Sequence, residues 1–358
     1  MEENKGEYNE VFNYFQKNYS SEILKVGKIL GKGAFGEVRD IIYKDKILAG
    51  KLIEKNTNEI SNEEKFSKEL KGHNIIRIFK IYQKKIRTKY YDLIIMEKAI
   101  LRDMKKFITY FHLFNLLKLI YINPFDEKVG NNLLRFFVKQ IIFGLAILDN
   151  NQYAHFDIKP ENLLITNKLI IKISDFGLLR KVNENITLPG GTFGYLTPEY
   201  YESKTVSREV ATKQDYFAFG SSLFFLKYGK LLIEYNKYEE ERIMNSDRIK
   251  DLIQRNIYNI KGKKASDRDF IKFESDLIHC NPEYRPTFEE IYRNKWINKD
   301  NEELSRVIKC FENEEEKLIM ELQKSDYLIK KEKTLKKQKK YGGAKFLFKK
   351  RKKQEIVR

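Results

Sequence analysis

The stretch that decides the fold of this chain is His155-Phe156-Asp157-Ile158-Lys159-Pro160-Glu161-Asn162. It packs an aspartate, a lysine and an asparagine into six residues. An aspartate can accept a hydroxyl proton, a lysine can offset the charge of a phosphoryl group in transfer, and an asparagine can offer a hard oxygen to a divalent cation. The segment therefore predicts a site that handles phosphate and metal.

The residues on either side of this stretch predict the elements that would hold it. Before it, apolar residues recur at spacings of three and four, which predicts a helix with one buried face; they are Leu134, Phe137, Ile141, Leu145 and Leu148. After it come two short β patterns, 163–165 and 170–173, and then Asp175-Phe176-Gly177. The carboxylate suits a metal that bridges phosphates, and the glycine permits an unusual backbone angle.

A glycine-rich segment lies upstream, Gly31-Lys32-Gly33-Ala34-Phe35-Gly36-Glu37-Val38. Glycines at this spacing let backbone amides approach phosphate oxygens without interference from a Cβ. The same spacing can open a dinucleotide-binding helix, but the residues that follow have a strand pattern. A flexible hairpin loop is the alternative.

Lys51 ends the apolar run Leu48-Ala49-Gly50-Lys51 and can reach phosphates as a point charge. A carboxylate is needed to hold it, and we predict that Glu64 does so from a polar helix at about 59–71. Glu63 and Glu69 are competitors for this role. Further along, Glu199 and Arg285 predict a buried ion pair with a structural role.

The periodicity along the chain predicts a strand-rich segment followed by a helix-rich one. The predicted strands are 23–30, 37–43, 47–53, 75–82 and 91–96. From residue 103 to Trp296 the pattern is mainly helical. The first twenty residues carry little pattern.

Composition narrows the class of protein. The 358 residues are 42% hydrophobic and 34% charged, with a formal net charge of +18 that favours acidic partners. Two cysteines rule out a disulfide framework, and the scattered histidines and cysteines argue against a zinc site. The start is unlike a signal peptide, and no apolar run reaches the ~18 residues of a membrane span. We expect an intracellular protein, cytoplasmic or nuclear.

Taken together and in this order, these segments resemble the eukaryotic protein kinase family over about 24–297, and the loop 159–162 is similar to its serine/threonine type. The resemblance implies an α+β bilobal fold, with a small β-rich N-lobe (23–98) and a larger, mainly α-helical C-lobe (99–297). It implies transfer of the γ-phosphoryl group of ATP, with Mg²⁺, to serine or threonine hydroxyls of protein substrates. The alternative is a pseudokinase, a scaffold that binds nucleotide or partners without turnover.

The resemblance also implies roles for individual residues. Asp157 would be the catalytic base, Lys159 would stabilise the γ-phosphoryl group, and Asn162 and Asp175 would hold Mg²⁺. Thr192 would bridge Asp157 and Lys159. The implied ATP-binding residues are Leu30, Gly31, Gly33, Gly36, Val38, Ala49, Lys51, Glu64, Met96, Glu97, Ala99, Asp103 and Leu164.

The sequence departs from the family pattern at a few positions. Phe156 replaces an arginine that reads an activation-loop phosphate in many relatives, and it cannot pair with a phosphate. Gly50 replaces a β-branched residue. The apolar stretch from Tyr110 to Phe125 resembles an insertion between the hinge region and the large helix, which would serve either lobe packing or a docking surface.

The two ends carry separate predictions. Residues 1–22 form an N-terminal extension, and residues 298–323 predict an amphipathic helix. Residues 324–358 hold 15 basic and 3 acidic residues, a net charge of +12, and we expect this basic tail to be disordered. It would contact a polyanion, either nucleic acid or an acidic membrane, or serve only as a solvated tail. The oligomeric state and the physiological substrate are not readable from the sequence.

Overall fold

The computed structural model describes residues 4–33, 36–107, 127–183, 185–203, 205–234, 245–261 and 268–299. Within these ranges a β-sheet lobe precedes a helical lobe, which confirms the predicted bilobal α+β fold. The predicted insertion from Tyr110 to Phe125 and the basic tail lie outside the described residues, as does the predicted helix 298–323 except for its first two positions.

The N-lobe is built around an antiparallel sheet with strand order β1-β2-β3-β5-β4. Its strands are β1 (Ile23–Gly33), β2 (Gly36–Tyr43), β3 (Lys46–Lys55), β4 (Ile78–Ile86) and β5 (Lys89–Met96). Lys44 and Asp45 join β2 to β3 with φ values of 45° and 63°, the left-handed pair that a two-residue hairpin turn requires. Every predicted strand is present, although β4 starts and ends a few residues later than predicted.

The sheet is covered by a helix that the sequence did not predict, α1 (Asn4–Asn18). Val11, Phe12 and Phe15 are buried against one face of the sheet, in a cluster with apolar side chains such as Ile41 and Leu93. The segment predicted as an extension thus supplies part of the N-lobe core. Only a few apolar positions mark α1, which is why its pattern is weak in the sequence.

Elsewhere the chain forms α2 and a helical C-lobe. Helix α2 (Asn62–Ser67) is six residues long, far shorter than the predicted 59–71. The C-lobe helices are α3 (Glu127–Asn150), α4 (Pro198–Glu202), α5 (Arg208–Tyr228), α6 (Ser246–Lys261), α7 (Arg268–Leu277) and α8 (Phe288–Tyr292). Its short strands pair as β6 (Tyr153–Ala154) with β9 (Arg180–Lys181), β7 (Leu163–Ile165) with β8 (Ile171–Ile173), and β10 (Ile186–Thr187) with β11 (Thr205–Val206).

One apolar core runs from the C-lobe into the cleft. It joins Phe137 and Ile141 of α3 to Phe219 of α5, and it extends to Ala49 and Met96 of the N-lobe. The predicted Glu199–Arg285 ion pair is present and fully hydrogen-bonded, with Arg285 Nη2 2.7 Å from Glu199 Oε2. Among the described helices, none is long and apolar enough to cross a membrane.

Candidate active site

A cavity of about 470 Å³ opens between the two lobes, a size in the usual range for small-molecule sites. Its lining is supplied by β1, β2 and β3, by the end of β5 and the residues after it, by the loop before β7 and β7 itself, and by Ser174, Asp175 and Thr192. The predicted ATP-binding residues that line it are Leu30, Gly31, Gly33, Gly36, Val38, Ala49, Lys51, Met96, Glu97, Ala99, Asp103 and Leu164. Glu64 is the one predicted member that does not.

The glycines of the β1–β2 hairpin are needed for different reasons. Gly36 has a φ of +135°, and a Cβ there would lie 1.9 Å from Leu52 O, so the fold itself requires glycine. A Cβ at Gly31 or Gly33 would meet no described atom within 4 Å. Since both line the cavity, the missing side chains leave open space for a ligand, as a phosphate-binding backbone needs.

Lys51 is held by two carboxylates at the back of this cavity. Its Nζ lies 2.9 Å from Glu63 Oε1 and 2.6 Å from Asp175 Oδ1. Burial works against the charge of Lys51, but the two carboxylates outweigh it and raise its pKa. Asn62 Nδ2 donates to Gly177 O at 2.8 Å, which ties α2 to the segment that carries Asp175.

The prediction that Glu64 holds Lys51 is wrong, because the structure gives this role to Glu63. Helix α2 begins at Asn62 and buries Glu63 and Phe66, one turn apart on the same face. Glu64 lies one position away and is half-exposed. The phase of Phe66 and Leu70, both buried, was the signal that pointed to Glu63.

Three side chains of the predicted catalytic segment form one hydrogen-bonded cluster with Thr192. Lys159 Nζ lies 2.6 Å from Asp157 Oδ2 and donates to Thr192 Oγ1 at 2.6 Å. Thr192 Oγ1 in turn donates to Asp157 Oδ1 at 2.6 Å, so the predicted bridge is confirmed. Asn162 Nδ2 donates to the backbone carbonyl of Asp157 at 2.8 Å and to its Oδ2 at 3.0 Å.

Two further residues position this loop and were not assigned roles from the sequence. Asp215 accepts hydrogen bonds from the backbone amides of His155 and Phe156 at 2.6 and 2.9 Å. His155 is fully buried; its Nδ1 accepts from the Asp157 amide, and its Nε2 lies 3.0 Å from Ser174 O. Burial lowers the pKa of His155, which favours the neutral ring that these contacts require.

Asn162 and Asp175 suit a divalent cation. Ser174 N and Oγ both donate to Asn162 O at 3.0 Å, so the two ligand residues lie side by side. The side-chain Nδ2 of Asn162 is used in hydrogen bonds to Asp157. The side-chain Oδ1 of Asn162 is therefore the atom left for a metal. Burial works against ionisation of Asp175, but Lys51 outweighs it and lowers the pKa of Asp175. In the described ranges no group of three or more His, Cys, Asp or Glu residues could hold a metal by itself. One carboxylate plus phosphate and water oxygens is an arrangement typical of Mg²⁺.

Phe156 is buried in an apolar cluster. Around it pack Ala154, Val182, Leu188, Val206 and Ala211. Nearby, a Cβ at Gly191 would lie 2.7 Å from Phe156 O, so glycine allows the segment carrying Thr192 to approach the catalytic loop closely. Val182 and Leu188 are thus held against the loop by apolar burial, and the pairing of β6 with β9 ties the residues just before Val182 to those just before the loop.

Comparison with known proteins agrees with this geometry. The family model described as "Protein kinase domain" matches residues 24–297. Calcium/calmodulin-dependent protein kinase type 1 of Caenorhabditis briggsae is 27% identical over 284 residues, which cover 75% of this chain and 71% of that protein. CBL-interacting serine/threonine-protein kinase 12 of Arabidopsis thaliana is 26% identical over 296 residues, covering 77% of this chain and 52% of that protein. G protein-coupled receptor kinase 1 of Caenorhabditis elegans is 27% identical over 271 residues, covering 72% and 38%.

Proposed function

The chain belongs to the protein kinase family and is an ATP-dependent serine/threonine protein kinase, and from this premise we propose which of its groups carry out the transfer. The observation that supports the proposal best is the closed cluster of Asp157, Lys159 and Thr192, together with Asn162 and Asp175, which line the cavity. Membership of the family implies use of ATP and a divalent metal ion. That the ion is Mg²⁺ is part of the proposal.

In this proposal each side chain has a separate task. Asp157 orients the attacking serine or threonine hydroxyl and takes its proton as the new bond to the γ-phosphorus forms; the bond from that phosphorus to the bridging β-phosphate oxygen breaks, and ADP leaves. Lys159 holds positive charge near the phosphoryl group, while Lys51 holds it at the phosphates nearer the adenosine. Asn162 and Asp175 would hold Mg²⁺, which supplies positive charge against the phosphate oxygens. Most of the catalysis is then positioning in a preorganised charged site.

The test compares phosphate transfer from ATP to a generic protein substrate in the presence of Mg²⁺. Asp157→Asn and Lys51→Met should each lower the rate by roughly 10² or more. Lys46→Met is the matched control, because Lys46 is exposed on the same strand as Lys51 and away from the cavity. If the wild type transfers no more phosphate than Asp157→Asn, the assignment of these residues is wrong, and binding of ATP without transfer would support a pseudokinase.

We also propose that residues 324–358 contact a polyanion and that the protein acts inside the cell, in the cytoplasm or nucleus. The support is the net charge of +12 in this tail, and charge neutralisation makes such binding strongly salt-dependent. Truncation after Gln323 should leave phosphate transfer intact and abolish salt-sensitive binding to nucleic acid or to vesicles with acidic lipids. Equal binding by the truncated chain would disprove the role of the tail.

A further inference from the structure

The buried face of β2 changes from apolar to charged as the strand approaches the cavity. Ile41 and Tyr43 fill this face at the far end of the strand, beneath α1. Arg39 and Glu37 continue the same face toward the glycine-rich hairpin and are also buried, with Glu37 only 1% exposed. A buried carboxylate needs partners, so the contacts of Glu37 fix the local structure.

Glu37 is paired on both sides. Arg39 Nε donates to Glu37 Oε1 at 2.6 Å, and Lys32 Nζ forms an ion pair with Glu37 Oε2. Lys32 lies directly opposite Glu37 in the β1–β2 register, between Gly31 and Gly33. The ion pair therefore connects the side-chain network of β2 to the residues that line the roof of the cavity.

The other end of this network reaches α1. The guanidinium of Arg39 lies over the ring of Phe12, with Cζ 4.6 Å from the ring centroid. Arg39 Nη2 also donates a hydrogen bond to Asn9 Oδ1. Arg39 is thus held between a helix outside the kinase domain match and a carboxylate of the glycine-rich hairpin. A planar, weakly hydrated guanidinium is well suited to stacking on an aromatic ring while it hydrogen-bonds to a carboxylate.

We propose that α1 positions the glycine-rich hairpin for ATP through the chain of contacts Phe12 and Asn9 to Arg39, Arg39 to Glu37, and Glu37 to Lys32. This inference rests on the proposed function, since it concerns the same nucleotide site. With Arg39 held by α1, the Glu37 carboxylate is fixed in position and holds Lys32, so the strand end that carries Gly31 and Gly33 is positioned before the nucleotide binds. Without the contacts of α1 to Arg39, the nucleotide itself must position the hairpin when it binds. The affinity for ATP then falls.

Two matched pairs of substitutions in the full chain test the proposal. Phe12→Leu is compared with Phe15→Leu, because both rings are fully buried in the same cluster but Phe12 is the one that contacts Arg39. Asn9→Ala is compared with Glu10→Ala, because both residues are exposed on α1 and Glu10 pairs with Arg87 instead. Asn9→Asp keeps an oxygen acceptor for Arg39 and serves as the conservative variant.

The measurement is the dissociation constant for ATP with Mg²⁺ by calorimetry, alongside the KM for ATP and the thermal midpoint of each variant. We expect Phe12→Leu and Asn9→Ala to weaken ATP binding by roughly three- to tenfold, with kcat changed less than twofold. Phe15→Leu, Glu10→Ala and Asn9→Asp should stay within about twofold of wild type. The exposed Asn9 variants keep the test valid even if Phe12→Leu folds poorly.

The proposal is overturned if Asn9→Ala binds ATP as tightly as Glu10→Ala, or if Phe12→Leu and Phe15→Leu weaken binding equally. These results need no turnover, so they can be separated from a failure of the proposed function. A wild type that binds ATP but transfers no phosphate contradicts the catalytic assignment alone.

Discussion

Replacing Glu63 by glutamine removes one of the two negative charges that hold Lys51. Glutamine has nearly the same shape and keeps an oxygen acceptor, so the change isolates the charge. Both Lys51 and Glu63 are buried, with Lys51 Nζ 2.9 Å from Glu63 Oε1. Asp175 remains 2.6 Å from Lys51 and keeps it charged.

The size of the effect follows from that distance. Unit charges 2.9 Å apart in an effective dielectric of about 20 attract each other by about 6 kcal/mol. The cost of removing both groups from water offsets a large part of this attraction. With Asp175 still in contact, we expect a loss of about 2–3 kcal/mol, which corresponds to a decrease in kcat/KM of about 30- to 150-fold.

Steady-state kinetics with ATP, Mg²⁺ and a peptide substrate measure this loss. Glu64→Gln is the matched control, because Glu64 is the next residue on α2 and is half-exposed. It should change kcat/KM by less than about twofold. A larger loss for Glu64→Gln than for Glu63→Gln, at equal thermal midpoints, would refute the assignment of Glu63.

Three further substitutions test other parts of the structure. Thr192→Ala removes the hydroxyl that joins Asp157 to Lys159, and kcat should fall by roughly ten- to a hundredfold. Thr192→Ser keeps the hydroxyl and should retain most of the activity. Gly50→Ala would put a Cβ 2.1 Å from Ile41 Cδ1, which should cost about 1–3 kcal/mol in urea unfolding, and adding Ile41→Val should recover part of that loss. Burial raises the pKa of Glu274 from 4.5 to about 8. Between these two pH values the native state keeps a proton on Glu274 that the unfolded state releases. Stability should therefore fall as the pH rises from 4.5 toward 8, by up to about 1.4 kcal/mol per pH unit, and Glu274→Gln should flatten this slope.

The sequence predicted the parts of the site that lie on short, strongly marked segments. Asp157, Asn162 and Asp175 could be picked out as site residues because the types and order of the residues in a short loop are visible in the sequence. The β patterns around them placed these loops next to strands. The strands of the N-lobe were predicted because they are short runs rich in β-branched and aromatic residues.

The remaining features depend on packing that no local pattern reveals. On a helix, one position corresponds to a rotation of about 100°. That rotation is enough to move a side chain off the buried face, and the choice between Glu63 and Glu64 depended on it. Gly50 was only an unexplained departure in the sequence, but the structure shows that Ile41 occupies the space of its missing side chain. Helix α1 was missed because its few apolar positions gain meaning only against the sheet that they cover.

The apolar surroundings of Phe156 set how ionic strength should act on the segment from 182 to 206. A contact between a phosphate and an arginine weakens as salt screens the charges. Burial of aliphatic and aromatic side chains does not weaken in this way, and excluded salts such as sulfate strengthen it. The apolar cluster around Phe156 should therefore keep its packing at salt concentrations that would loosen a segment held by a phosphate.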